Sequence, residues 1–148
     1  MTTATREQVS LALLALLQTA TTFRTVSRRF QTFDQIATVD KPALYQVEHK
    51  ESHVKGKNIT PAVRTMDVDV YIFLATGLDP NVYPITEINT LIDAIDPNSG
   101  GVLAPGHTGL QTLGGLVTNC YIDGGIIKVP GDLDGLGVAI LPIKIIFM

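Results

Sequence analysis

The clearest pattern in the chain is the alternation across residues 63–75. Met66, Val68, Val70, Ile72 and Leu74 share one face of a strand, and Thr65, Asp67, Asp69, Tyr71 and Phe73 share the other. The second face begins polar and ends aromatic, which predicts cover on both sides at one end and on one side at the other. A shorter alternation follows Pro42, where Tyr45, Val47 and His49 interleave with Gln46, Glu48 and Lys50, so residues 43–49 read as a strand. Residues 23–30 read as extended. Residues 138–147 form a last strand, with Ala139, Leu141, Ile143, Ile145 and Phe147 on one face. Pro142 has no amide hydrogen, which predicts an edge strand or a bulge. Residues 117–122 and 126–129 flank Asp123-Gly124-Gly125, a hairpin signal.

Two stretches carry helical spacing instead. Val9, Leu13, Leu16, Leu17 and Ala20 fall on one side of a first helix, and Leu11 and Leu14 widen the stripe enough to predict a mostly buried helix. Thr3 or Thr5 can cap it, and Glu7 suits its first turn. Ile85, Ile88, Leu91, Ile92 and Ile95 form the stripe of a second helix over residues 85–95, with Pro84 at its start. The order is helix, strands, helix, strands, with no repeat and no linker. It predicts a single domain over residues 1–148, of α+β class, with two helices packed on one mainly antiparallel sheet. Residues 50–58 are polar apart from Val54, and residues 50–61 read as the tip of a long β-hairpin.

Composition changes this picture little. Eleven of the 13 glycines lie beyond residue 97, which favours turns over further helix in the last third. The one cysteine, Cys120, allows no internal disulfide and no cysteine metal cluster. The apolar run from Val9 to Leu17 is too short to cross a membrane, and Glu7 spoils it as a signal peptide. Asn58-Ile59-Thr60 is a glycosylation sequon that matters only in a secreted chain.

Charge adds more. Residues 1–64 hold nine Lys and Arg against five Asp and Glu, and residues 65–148 hold two against nine. Such a split arises readily by chance. Read functionally, it suits a basic face that meets an acidic face of another copy. Arg28, Arg29, Lys50, Lys55 and Lys57 form the basic cluster, a candidate contact for an acidic partner surface or for passing DNA. It lacks the interleaved aromatics that stack bases.

Motifs for chemistry are sparse. His49 and His53 are four residues apart on an extended segment, about 13 Å, too far to share a metal. Asp132-Leu133-Asp134-Gly135 opens like a calcium loop, but its glycine comes too early and no glutamate closes twelve residues, so a turn is the simpler reading. Asp67 and Asp69 share a strand face as an acid–base dyad would, although exposed aspartates also serve as guards of an aggregation-prone strand. No nucleophile elbow, phosphate loop or dinucleotide fingerprint occurs. No catalytic residue, metal site or cofactor is assigned.

Several segments together resemble a known family. Arg28-Arg29-Phe30 is followed by Lys41-Pro42-Ala43-Leu44-Tyr45, the polar loop and the strand from Met66 to Leu74. The second helix leads to Gln111-Thr112-Leu113-Gly114-Gly115-Leu116-Val117 and Cys120-Tyr121-Ile122-Asp123-Gly124, and Leu141-Pro142-Ile143-Lys144-Ile145 closes the chain. In these packing and turn motifs the chain resembles the tail terminator, or tail-completion, proteins of long-tailed bacteriophages, the minor tail protein U type. The resemblance implies a structural virion protein of the tail or neck, assembled in the host cytoplasm into a hexameric ring. The ring would cap the tail tube, end its polymerisation and offer a surface to a neck or head-completion protein, with a sheath contact if the tail contracts. DNA would only pass through the channel, and no membrane is involved. Arg28, Arg29, Lys50, Lys55, Lys57, Asp132, Asp134 and Pro142 are the candidate interface residues. The last strand is expected to pair across subunits through its edge. Two other readings remain open: a small α+β ligand-binding protein or enzyme, with Asp67, Asp69 or His49 in a pocket between helices and sheet, and a neck adaptor or tube component of the virion.

Overall fold

A computed structural model describes residues 4–32, 35–55 and 63–148. Two helices lie on one face of a six-stranded mixed sheet, an α+β fold. The elements are α1 (Arg6–Leu17), β1 (Thr25–Ser27), β2 (Ala43–Val54), β3 (Val63–Ala75), α2 (Pro84–Ile95), β4 (Asn119–Ile122), β5 (Ile127–Val129) and β6 (Leu136–Phe147). The strand order is β1-β2-β3-β6-β4, with β5 also beside β6. β1 runs parallel to β2, and every other pair is antiparallel.

Local chemistry sets the helix starts. The Thr5 hydroxyl accepts from the Gln8 amide, and the Gln8 side chain accepts from the Thr5 amide, a reciprocal cap that satisfies two otherwise unpaired donors. Thr3, the other candidate, lies outside the described residues. Pro84 opens α2, where a missing amide hydrogen costs nothing. α1 buries Val9, Ser10, Leu13 and Leu17 but leaves Leu11 49% exposed, so it is covered on one side and not mostly buried as its wide stripe predicts. Leu13 and Leu17 meet Ile88 and Ile95 of α2 in one core with Leu44, Val70, Ile72, Leu141 and Ile143 of the sheet.

Among the described residues the far face of the sheet is covered at one end only. There Ile36 packs on Ala43, Tyr45 and Phe73, and the Phe30 ring sits 4.7 Å from that of Tyr71. Tyr45 donates its hydroxyl proton to Gln31. The polar-to-aromatic change along β3 therefore marks where this second cover begins.

Four further sequence expectations need correction. The extended run at residues 23–30 is a strand only at Thr25–Ser27, beyond which the chain rounds the sheet edge: Arg28 contacts the helix side and Phe30 the far side. β2 continues to Val54, because residues 50–54 pair with residues 63–67 of β3, and the polar tip is correspondingly shorter. A bulge at His49 shifts the register, so Lys50 stands opposite Asp67 on the far face and Glu51 opposite Met66 on the helix face. His49 and His53 consequently have different neighbours, Asp69 and Glu51.

The third correction concerns β6, which is not an edge. It lies between β3 on one side and β4 and β5 on the other. The Pro142 carbonyl accepts from the Asp123 amide on the β4–β5 side. Because N–H and C=O of a strand residue point the same way, the missing proton faces the break between β4 and β5 and takes no bond from the β3 ladder. The fourth follows from it. β4 and β5 do not form a hairpin but pair in tandem with β6, β4 against residues 143–146 and β5 against 138–140. Gly124, at φ +114°, steps around the Pro142 ring between them.

Candidate functional site

The long strands β2, β3 and β6 give the molecule two ends. At about 3.3 Å per residue, the 13 residues of β3 separate them by roughly 40 Å. The hairpin end holds residues 50–55, 63–65 and 147–148 beside the start of α1. The loop end holds residues 76–84 and 130–136.

The hairpin end is laced by ion pairs. Because the bulge sends Glu51 to the helix face, it meets Arg6 of α1 at 2.7 and 2.8 Å and His53 at 2.9 Å. The Arg6 guanidinium, aided by His53, holds the Glu51 carboxyl down at about 2, against the opposing pull of partial burial. Arg28 binds both oxygens of Glu7 at 2.7 Å and lies 3.8 Å from Glu48. It holds the Glu7 carboxyl below the usual range. Arg64 donates to the carbonyls of Met148 at 2.6 Å and Ala4 at 3.3 Å, with its guanidinium 4.2 Å from the centre of the Phe147 ring.

The sequence-predicted basic cluster is thereby divided. Arg28 is a structural tie on the helix side. Arg29 is exposed near the sheet edge, and Lys50 is exposed on the far face. Lys55 is exposed just past β2, beside Val54, itself 63% exposed. Neither Lys50 nor Lys55 makes an ion pair among the described residues. Lys57 and the Asn58 sequon lie outside the described residues.

The middle of the far face carries the polar groups once considered for a pocket. His49 Nδ1 is 3.2 Å from Asp69, and Lys144 Nζ is 2.9 Å from Asp123. The Asp123 carboxylate raises the Lys144 ammonium above its usual value, with help from Asp67. These groups and Pro142 line a shallow cavity of about 350 Å³. It lies on the face opposite the helices, whereas a cavity of about 400 Å³ between α2 and the end of β3 is lined by Leu74, Glu87, Thr90 and Leu91 and by none of these groups. The pocket imagined between helices and sheet is therefore not formed by these residues. Among the described residues, no group of three His, Cys, Asp or Glu side chains is placed to hold a metal. Burial pushes the Cys120 thiol up to about 12, so it stays protonated.

The loop end has a different character. Leu78, Asp79, Val82, Tyr83, Asp132 and Leu133 surround a cavity of about 530 Å³. Leu133 is 98% exposed, Leu78 79% and Tyr83 66%. The two loops are tied by the Gly135 carbonyl, which accepts from the Thr76 amide at 2.8 Å. Asp79 and Asp134 each accept from a backbone amide two residues on, while Asp132 is exposed. Residues 77–84 and 130–136 contain no Lys or Arg. The nearby Lys128 ammonium donates to Asn89.

Of the predicted interface residues, the structure brings Asp132 and Asp134 together at the loop end and sets Lys50 and Lys55 at the hairpin end. Pro142 lies mid-sheet. The sequence reading missed Leu78, Val82 and Tyr83. Their signal was available as three large apolar residues inside Gly77-Leu78-Asp79-Pro80-Asn81-Val82-Tyr83, a turn-rich stretch that fits neither strand nor helix spacing. Among the described residues no helix is long and apolar enough to cross a membrane. A scan against protein-family models gives no match, and a search of curated proteins finds no matching sequence.

Proposed function

We propose that this chain is a structural subunit of the tail-terminator kind, which assembles as a ring on the tail tube of a long-tailed phage, stops its growth and presents a joining surface for the head or neck. The observation that carries the assembly reading is the apolar loop end. Leu78, Tyr83 and Leu133 stand out from the surface around one cavity, where a monomer gains nothing by exposing them. Contiguous apolar surface of this kind marks contact with another protein. The rim of Asp79 and Asp132 would select a cationic partner and orient it. The resemblance of the Arg28–Phe30, Gln111–Val117 and Leu141–Ile145 segments to tail terminators supplies the place of assembly. The ring, the tube protein and the neck protein are the partners this reading names, and the virion is its location.

The test is to add the purified chain to tube protein of the same virus while it polymerises, and to view the tubes by negative-stain electron microscopy. A ring-shaped cap at one end and shortened tubes are expected. Tubes of unchanged length with bare ends would overturn the reading.

A further inference from the structure

We infer that the loop end takes an extended segment of a partner protein in which apolar and basic residues stand side by side. The inference rests on the reading of the loop end as a contact surface and names the chemistry of what it takes. Two cavities adjoin there. One, of about 530 Å³, is bounded by Leu78, Tyr83 and Leu133. The other, of about 400 Å³, lies between α2 and the end of β3 and is bounded by Leu74 and Leu91. Val82 lines both, so they form one groove that passes from the loops along the first turns of α2, with an apolar seat on either side of Val82.

Charge decides what fits. The charged residues of the two linings are Asp79, Glu87 and Asp132, all exposed carboxylates, and neither lining holds a Lys, Arg or His. Among the described residues none of the three takes part in an ion pair. Lys128 of β5 donates to Asn89 and lines neither cavity. Such a groove repels nucleic acid and the anionic face of a membrane. It suits a chain whose lysines or arginines reach the rim while their stems and the aliphatic or aromatic side chains beside them fill the floor.

The groove is shaped before anything enters it. Pro42, Pro80 and Pro84 stiffen its walls. Asp79 accepts from the Asn81 amide at 2.9 Å, and the Gly135 carbonyl ties the two loops through the Thr76 amide at 2.8 Å. A preformed groove gives up little freedom on binding, which leaves more of the contact as affinity.

Fluorescence anisotropy with the full chain tests this. The probe is a short dye-labelled peptide of alternating leucine and lysine; the comparisons alternate leucine with glutamate and serine with lysine. The leucine–lysine peptide should bind at least about tenfold more tightly than either, and more weakly as salt is added. A variant with Asp79→Asn, Glu87→Gln and Asp132→Asn should lose at least about tenfold in affinity, and so should Val82→Ser with Leu133→Ser. Asn at position 79 keeps the acceptor for the Asn81 amide, and circular dichroism checks that each variant folds. Asp67→Asn, Asp69→Asn and Asp123→Asn together change the net charge equally but on the far face, and this variant should bind like wild type. Absence of binding, equal binding of the three peptides, or equal loss in the far-face variant would each overturn the inference. Self-association that the groove substitutions abolish, without peptide binding, would assign the groove to a second copy and overturn it too. Peptide binding by a chain that places no cap on tubes would leave it standing and remove the tail-terminator reading. Caps without peptide binding would do the reverse.

Discussion

The two ends of the sheet are built on opposite plans. Among the described residues nearly every charged group on the helix side of the hairpin end has a partner inside the molecule: Arg6 with Glu51, Arg28 with Glu7, Arg64 with the Met148 carbonyl. At the loop end tight turns closed by backbone hydrogen bonds hold the shape, and apolar side chains point outward. Side-chain pairing stabilises the first end. The second is held by its backbone, which leaves its apolar side chains exposed. Sites that bind commonly sit on loops fixed by a rigid scaffold. The difference therefore separates an end held by side-chain pairing from one that exposes apolar side chains, although both lie on the same three strands.

Substitutions should pull these roles apart. The largest effect belongs to the shared core: Leu13→Ala, at a fully buried position, should cost about 2–5 kcal/mol in chemical denaturation and weaken both ends alike. Next comes Gly135→Ala. At φ +71° a Cβ is strained, and it would overlap the Gly77 carbonyl oxygen. A loss of about 2–3 kcal/mol is expected, and on the assembly reading association should fall too, because the two loops move apart. If stability falls while association is unchanged, the loops do not form the contact surface.

Glu51→Gln should cost about 1 kcal/mol at neutral pH, since Arg6, its partner, is half exposed and screened by solvent. Its clearer mark is on acid stability. The folded-state carboxyl is depressed to about 2, below its usual value of about 4.3. Its stabilising contribution is thus complete above about pH 5 and disappears as the pH falls towards 2. Denaturant midpoints measured from pH 5 to 2 should decline less steeply in Glu51→Gln than in wild type. An equal slope would show that the hairpin end is not held by this pair. The smallest effect on stability is expected at the loop end: Leu133→Ser, 98% exposed, should leave the denaturation midpoint within about 0.5 kcal/mol of wild type. Cys120, protonated and buried, should resist thiol reagents until the chain unfolds.

The fold was readable where one periodicity prevailed. The alternation of Met66 to Leu74, the stripe from Ile85 to Ile95 and the face shared by Ala139 to Phe147 all reappear as drawn, because burial on one side fixes which residues can stand there. It was not readable where pairing, and not burial, holds the strand. Residues 50–53 look like a loop since their partners are charges and backbone contributed by other segments, Arg6 among them. The His49 bulge has no local signature, yet it decides that Glu51 and not Lys50 faces α1. The same holds for the candidate site. Lys55, Asp132 and Asp134 could be named from charge, but Arg28 looked available until Glu7, 21 residues away, closed on it.

Pro142 also bears on how the molecule behaves in a crowded solution. By interrupting the outer ladder of β6, it divides that flank into a four-residue strand and a three-residue strand with a glycine step between them. An uninterrupted partner along all 12 residues of β6 would have presented a straight rail of unpaired amides and carbonyls, the template from which fibrils grow sideways. One missing proton in the middle of the sheet shortens that rail without weakening the β3–β6 ladder beside it.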